Sequence, residues 1–185
     1  MIGLVLVAAL NCGASATQVD LDECAAYAQS VAKAAETAAF LAAERRFPNN
    51  TQLQRSEVFW LDARSSACAF ADEMASGGSL EPMLWSQCYA DAGQARVRDI
   101  ALFTGRSNSA ALVPSPQSNA EHDRIYGLLE LLLSPHEREL LARSERFFLW
   151  YRDAACSHAQ NGCATALTRT RTQQLKDSWL AEKFW

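Results

Sequence analysis

The sequence predicts an all-α protein: a tandem pair of disulfide-stapled helical units with about six helices in total. Three observations predict it. Apolar residues recur at spacings of three, four and seven along the long stretches. No stretch alternates apolar and polar residues over a strand's length. One part of the chain also repeats another, and self-similarity at a fixed offset decides architecture before any local feature does. The stretch Leu53–Cys68 (LQRSEVFWLDARSSAC) aligns without gaps on the stretch ending at Cys156, at an offset of 88. Arg55 falls on Arg143, Ser56 on Ser144, Glu57 on Glu145, Phe59 on Phe147, Arg64 on Arg152 and Cys68 on Cys156.

The elements follow in order. Leu21–Arg46 is a helix with alanines at 25, 28, 32, 35, 39 and 43 on one small-residue face, which suits close helix packing. Phe47-Pro48-Asn49-Asn50 ends it, because proline disfavours helical geometry in the residue before it. Asn49-Asn50-Thr51 also matches the glycosylation sequon, a short and common pattern. The second helix, Thr51–Ser76, presents Leu53, Trp60, Ala63, Ala67, Phe70 and Met74 on one face, and Gly77-Gly78 stops it. Ser79 is the expected cap of a third helix that carries Pro82 in its first turn and ends near Gly105. Residues 106–119 (RSNSAALVPSPQSN) lack periodicity and read as a linker. His122–Leu133 is a leucine-rich helix. Ser134, Pro135 and Glu137 then form a capping-box signature for a helix reaching about Ala159. The last helix spans Cys163 to about Lys183. The expected organisation is a signal peptide at 1–16, a first unit at 17–105, the linker at 106–119 and a second unit at 120–185.

Met1–Leu10 (MIGLVLVAAL) has the length and apolarity of a signal peptide, and Ala14-Ser15-Ala16 fits a cleavage site. This run lacks the usual basic start. The expected location is periplasmic or secreted, with a lipid anchor through Cys12 as the less favoured route. A cut after Ala16 leaves five cysteines, and an exported chain with that many favours disulfides. The repeat suggests Cys68 with Cys88 and Cys156 with Cys163, each restricting the unfolded chain by about 2–4 kcal/mol. Cys24 is then left over, either buried or linking two chains.

The net charge of −4 argues against a nucleic-acid binder, which would carry clustered Lys and Arg. It suits a cationic partner. Cys156, His158 and Cys163 lack a fourth ligand for zinc. His122 and His136 stand alone, and no nucleophile elbow, phosphate loop or zinc-protease motif is present. No catalytic residue, metal or cofactor is therefore expected.

Phe148-Leu149-Trp150-Tyr151-Arg152-Asp153-Ala154-Ala155-Cys156 resembles the W-x-x-Y-R-D-x-x-C helix of the LprI-type lysozyme-inhibitor family, with Trp150 directly before Tyr151. Gly77-Gly78-Ser79-Leu80-Glu81-Pro82-Met83, followed by Cys88, is similar to that family's G-G-S-x-x-P-M-x-x-x-x-C segment. Thr168-Arg169-Thr170-Arg171-Thr172 matches its T-x-x-R-T pattern, and Arg96 and Arg98 occupy the equivalent region of the first copy. The resemblance spans about 51–103 and 122–179, so it implies two copies. The copies differ: Ala63-Arg64-Ser65 stands where the second has Tyr151-Arg152-Asp153, and a short Ser157–Gly162 loop replaces the glycine-rich one.

What the resemblance implies is an exported, non-catalytic helical protein that binds and inhibits lysozyme or another cationic envelope protein. Trp60, Arg64, Trp150, Tyr151, Arg152 and Asp153 are the motif residues from which partner contacts would be drawn. A structural role suits Trp60, Phe148 and the cysteines best. The rival readings are an envelope interaction protein without lysozyme activity, with a Cys24-linked dimer as its sign, and a cell-wall enzyme.

Overall fold

A computed structural model describes residues 12, 16–104, 116–157 and 162–177, and in them the chain forms six α-helices and no strand. These are α1 (Gln18–Arg46), α2 (Thr51–Ala75), α3 (Glu81–Phe103), α4 (Pro116–Leu132), α5 (Pro135–Cys156) and α6 (Cys163–Asp177). Among the described residues, no helix is long and apolar enough to cross a membrane.

Local chemistry sets the ends. Thr17 and Asp20 form a reciprocal capping box on α1, while Arg45 and Arg46 sit in its last turn, where the helix dipole favours cations. Asn50 accepts hydrogen bonds from the backbone N–H groups of Gln52 and Leu53 and so starts α2. Asn49 before it takes a left-handed φ of 62°, which asparagine tolerates better than most residues. The capping box expected at Ser134 and Glu137 is present. At α3 the cap differs from expectation. Leu80, not Ser79, is the N-cap and makes no side-chain cap; the Glu81 carboxylate instead accepts from the Gly77 N–H at 2.9 Å. The helix α4 begins at Pro116, so residues 116–119 of the expected linker are helical.

Each half packs its own three helices. The small face of α1, with Ala25, Ala32 and Ala43 buried, lies against α3. Ala43, Leu53 and Ile100 close the core of the first half. In the second half Ile125, Leu129, Leu133, Leu141 and Leu175 do the same, joined by Phe70 from α2. Between the halves α2 runs antiparallel to α5: Phe59 lies beside Trp150 near one end and Glu73 beside His136 near the other. That seam buries Trp60, Ala63, Phe148, Tyr151 and Ala155.

The disulfides Cys68–Cys88 and Cys156–Cys163 form as the repeat suggests. Cys24 is not left over. It pairs with Cys12, so among the described residues there is no free thiol to link two chains. Cys12 follows an apolar run, and assigning it to a leader hid the partner twelve residues upstream of Cys24. A cut after Ala16 would remove that partner.

Candidate functional site

The repeat offset carries a buried polar network from one half to the other. In the first half Arg96, fully buried, donates from Nε and Nη2 to Glu57 Oε2 at 3.1 and 2.7 Å, and from Nη2 to Ser56 Oγ at 3.2 Å. In the second half Arg171 donates to Glu145 Oε2 at 3.2 Å and to Ser144 Oγ at 2.6 Å. Ser56 and Ser144 each donate onward to a carbonyl one turn back, that of Leu53 or Leu141. Arg96 lies over the Trp60 ring and Arg171 over the Phe148 ring, with centroid distances of 5.5 and 5.8 Å. The Ser-Glu pairs align in the sequence, whereas the arginines that hold them stand out there only as part of a motif. A planar guanidinium with five donors can satisfy a carboxylate, a hydroxyl and a ring face at once, which lysine cannot.

At the junction the network extends across the halves. Arg96 Nη1 donates to the Tyr151 hydroxyl at 3.2 Å, and that hydroxyl donates to Asp99 Oδ2 at 2.6 Å. Burial pushes the Asp99 carboxyl up to about 6, against the opposing pull of Tyr151, Arg96 and Arg98. Burial and the neighbouring Asp99 carboxylate likewise push the Tyr151 phenol well above its ordinary value. Burial alone would lower the Arg96 pKa, but Tyr151 and Glu57 outweigh it and hold the guanidinium firmly charged. For Glu145 the upward pull of burial is overcome by contact with His122 and the charge of Arg171, so its pKa is lowered.

The six motif residues therefore divide. Trp60 and Tyr151 are buried in the seam. Arg64 faces inward too: it pairs with Glu36 at 3.1 Å and lies 4.4 Å from the Trp60 ring centroid. Trp150, Arg152 and Asp153 turn outward. Trp150 is 46% exposed and packs edge-on against Phe147 and beside Phe59, while Arg152 bonds Asp153 at 3.0 Å. His122, set aside as isolated in the sequence, is buried beside Glu145.

Two surface features border this frame. A groove of about 550 Å³ between α3 and α6 has Trp60, Phe148 and Tyr151 in its walls and Arg98, Gln94 and Gln173 along them. At the far end of α2 the turn into α3, enclosed by the Cys68–Cys88 disulfide, carries Asp72, Glu73 and Glu81 beside an exposed Leu80. Burial, then the charges of Glu81 and Glu73, raise the Asp72 pKa, so these acids share one patch. Among the described residues no group of three His, Cys, Asp or Glu could hold a metal ion.

No curated protein and no solved structure matches the chain. Residues 11–100, just under half of the sequence, match the model of a family described as lysozyme inhibitor LprI. The match takes in α1, α2 and nearly all of α3, including the Cys12–Cys24 and Cys68–Cys88 disulfides and Arg96. The first half of this protein, three disulfide-tied helices around a buried Ser-Glu-Arg network, is LprI-like.

Proposed function

We propose that the protein is an exported, non-catalytic inhibitor of lysozyme, built from two LprI-like units of which only the first makes the inhibitory contact. The observation that carries this reading is the family match at residues 11–100 together with the charge of that same segment. It holds 12 Asp and Glu against 7 Lys and Arg, a net of −5, whereas residues 101–185 hold 9 against 10, a net of +1. The overall −4 thus belongs to the family-matched half.

Within that half the turn between α2 and α3 offers the best contact. It is stapled at its base by Cys68–Cys88, so little order is lost on binding. Its acids would meet a basic cleft and speed encounter by electrostatic attraction, while Leu80 supplies an apolar tip. The extracytoplasmic location agrees with three disulfides, which persist in oxidising compartments.

The test is a lysozyme assay on cell-wall substrate with the oxidised protein at low and moderate salt. Saturable inhibition is expected, weaker as salt rises. Glu73→Lys is expected to lose about tenfold or more in affinity, while circular dichroism stays unchanged. Folded protein that leaves lysozyme fully active at both salts would reject the reading.

A further inference from the structure

The α2–α5 seam has two sides. On the inner side, that of Trp60, Ala67, Phe148 and Tyr151, the helices α3 and α6 lie against it. On the outer side α2 presents Arg55, Val58 and Asp62, and α5 presents Arg146, Trp150 and Asp153, all of them exposed. Both sets recur at spacings of three and four, so each lies along one helix face. Val58 is 58% exposed and Trp150 46%, and the half-buried rings of Phe59 and Phe147 rest against the Trp150 indole. Arg55 stacks on Phe59 at 5.4 Å and its repeat equivalent Arg143 on Phe147 at 5.9 Å. Large apolar side chains gathered in the open on one face mark an interaction surface.

The register of the seam decides what this face can meet. Phe59 lies beside Trp150, and fourteen residues further along α2 Glu73 lies beside His136, fourteen residues back along α5. In that register Arg55 is level with Asp153, Val58 with Trp150 and Asp62 with Arg146, each to within about one residue, or 1.5 Å of rise. The order cation, apolar, anion along α2 is thus answered by anion, aromatic, cation along α5. Inside one chain these groups point outward side by side and do not pair. Asp62 and Arg146 have neither a hydrogen bond nor an ion pair, and Asp153 bonds only its neighbour Arg152. A surface that carries its own complement meets the condition for an isologous contact, in which one patch serves both subunits.

We propose that this face binds a second copy of the chain about a twofold axis parallel to the seam. Rotation about that axis sets α2 of one copy over α5 of the other, antiparallel and at the same height. Arg55 then faces Asp153 of the other copy, Val58 faces Trp150 and Asp62 faces Arg146, each contact occurring twice. The apolar side chains of both copies form a centre inside a charged rim, the usual anatomy of a protein interface. An acidic protein or an anionic membrane would set like charge against Asp62 and Asp153, whereas a second copy pairs both. Glu73 lies eleven residues past Asp62, about 16 Å along α2, so the acidic turn stays outside the contact. Dimerisation and lysozyme inhibition therefore stand or fall separately.

The test is sedimentation of the intact oxidised protein over a concentration series. A reversible dimer of twice the chain mass is expected. Val58→Asp, at an exposed position, is expected to weaken it about tenfold or more with unchanged circular dichroism. Asp62→Arg and Arg146→Asp should each weaken it comparably, because each sets like charges together twice. Mixing those two variants is expected to restore the dimer, since the two substituted side chains then face each other and so do the two native ones. A protein that stays monomeric up to its solubility limit overturns the proposal and leaves the face to a membrane or another protein. So does a dimer that Val58→Asp leaves intact, or a mixture of the two charge variants that associates no better than either alone.

Discussion

Asp99 is the residue at which the two halves are most tightly coupled, through the Tyr151 hydroxyl at 2.6 Å. Its carboxyl is pushed up to about 6 by burial, while an unfolded aspartate titrates near 3.9. Between those values the folded protein binds a proton that the unfolded chain does not. The Asp99 contribution to stability is therefore fully present below about pH 4 and is lost as pH rises through about 6, a change of about 3 kcal/mol. Glu145 acts the other way: its lowered pKa contributes stability above the ordinary glutamate value that is lost in acid. Asn at position 99 can still accept from Tyr151 but cannot ionise. Urea denaturation from pH 4 to 7 is thus expected to shift in favour of Asp99→Asn by about 3 kcal/mol relative to the parent. Parallel pH profiles for the two proteins would show that the Asp99 charge is not strained.

Residue-level legibility was uneven for physical reasons. Ser56-Glu57 and Ser144-Glu145 stood out because they recur at a fixed offset, yet their role appeared only when Arg96 and Arg171 reached them across helices. Asp99 has no acidic counterpart in the other half, where Gln174 stands three residues past Arg171 as Asp99 does past Arg96, so no pattern marked it. Cys12 was hidden by its neighbours, since an apolar run beside a cysteine reads the same whether it is leader or fold.

Among the helices, the pairing of α1 with α3 depends on small residues where the backbones come closest. The alanine run of α1 announced such a face in the sequence, but the partner glycine did not announce itself. Gly93 in a helix interior costs about 1 kcal/mol against alanine, and the structure gives the reason in its approach to Ala32. Val at 93 would push three carbons into that contact. Gly93→Val is expected to destabilise the protein by about 1–3 kcal/mol, measured as a lower urea midpoint with unchanged slope. An unchanged midpoint would mean that α1 can move away freely. Helix ends were legible where a side chain makes the cap, as at Asn50 and Ser134. They were misplaced at α3, where Glu81 reaches back to Gly77 and leaves Ser79 unused.

On the scale of the whole molecule the antiparallel α2–α5 seam joins two halves that each supply an arginine to their own Ser-Glu pair, Arg96 to Ser56 and Glu57 and Arg171 to Ser144 and Glu145. The sequence suggested modules on a linker because a polar stretch separates the repeats, and periodicity cannot show that two apolar faces bury each other. Trp60, Phe148 and Tyr151 are buried where α2 and α5 meet. A fragment ending at Thr104 would expose the α2 face, and exposed apolar patches drive association. The offset of 88 that aligns α2 with α5 supplies the partner, because α2 of a second fragment can take the place of α5. The fragment is therefore expected to form a dimer by light scattering, less stable than the intact chain. In such a dimer Ala63 replaces Tyr151 opposite Arg96 and leaves Asp99 without its hydroxyl. Trp60→Asp in the fragment should abolish association by placing like charges at the seam. A fragment that stays monomeric and fully folded would show that the first unit does not need the seam.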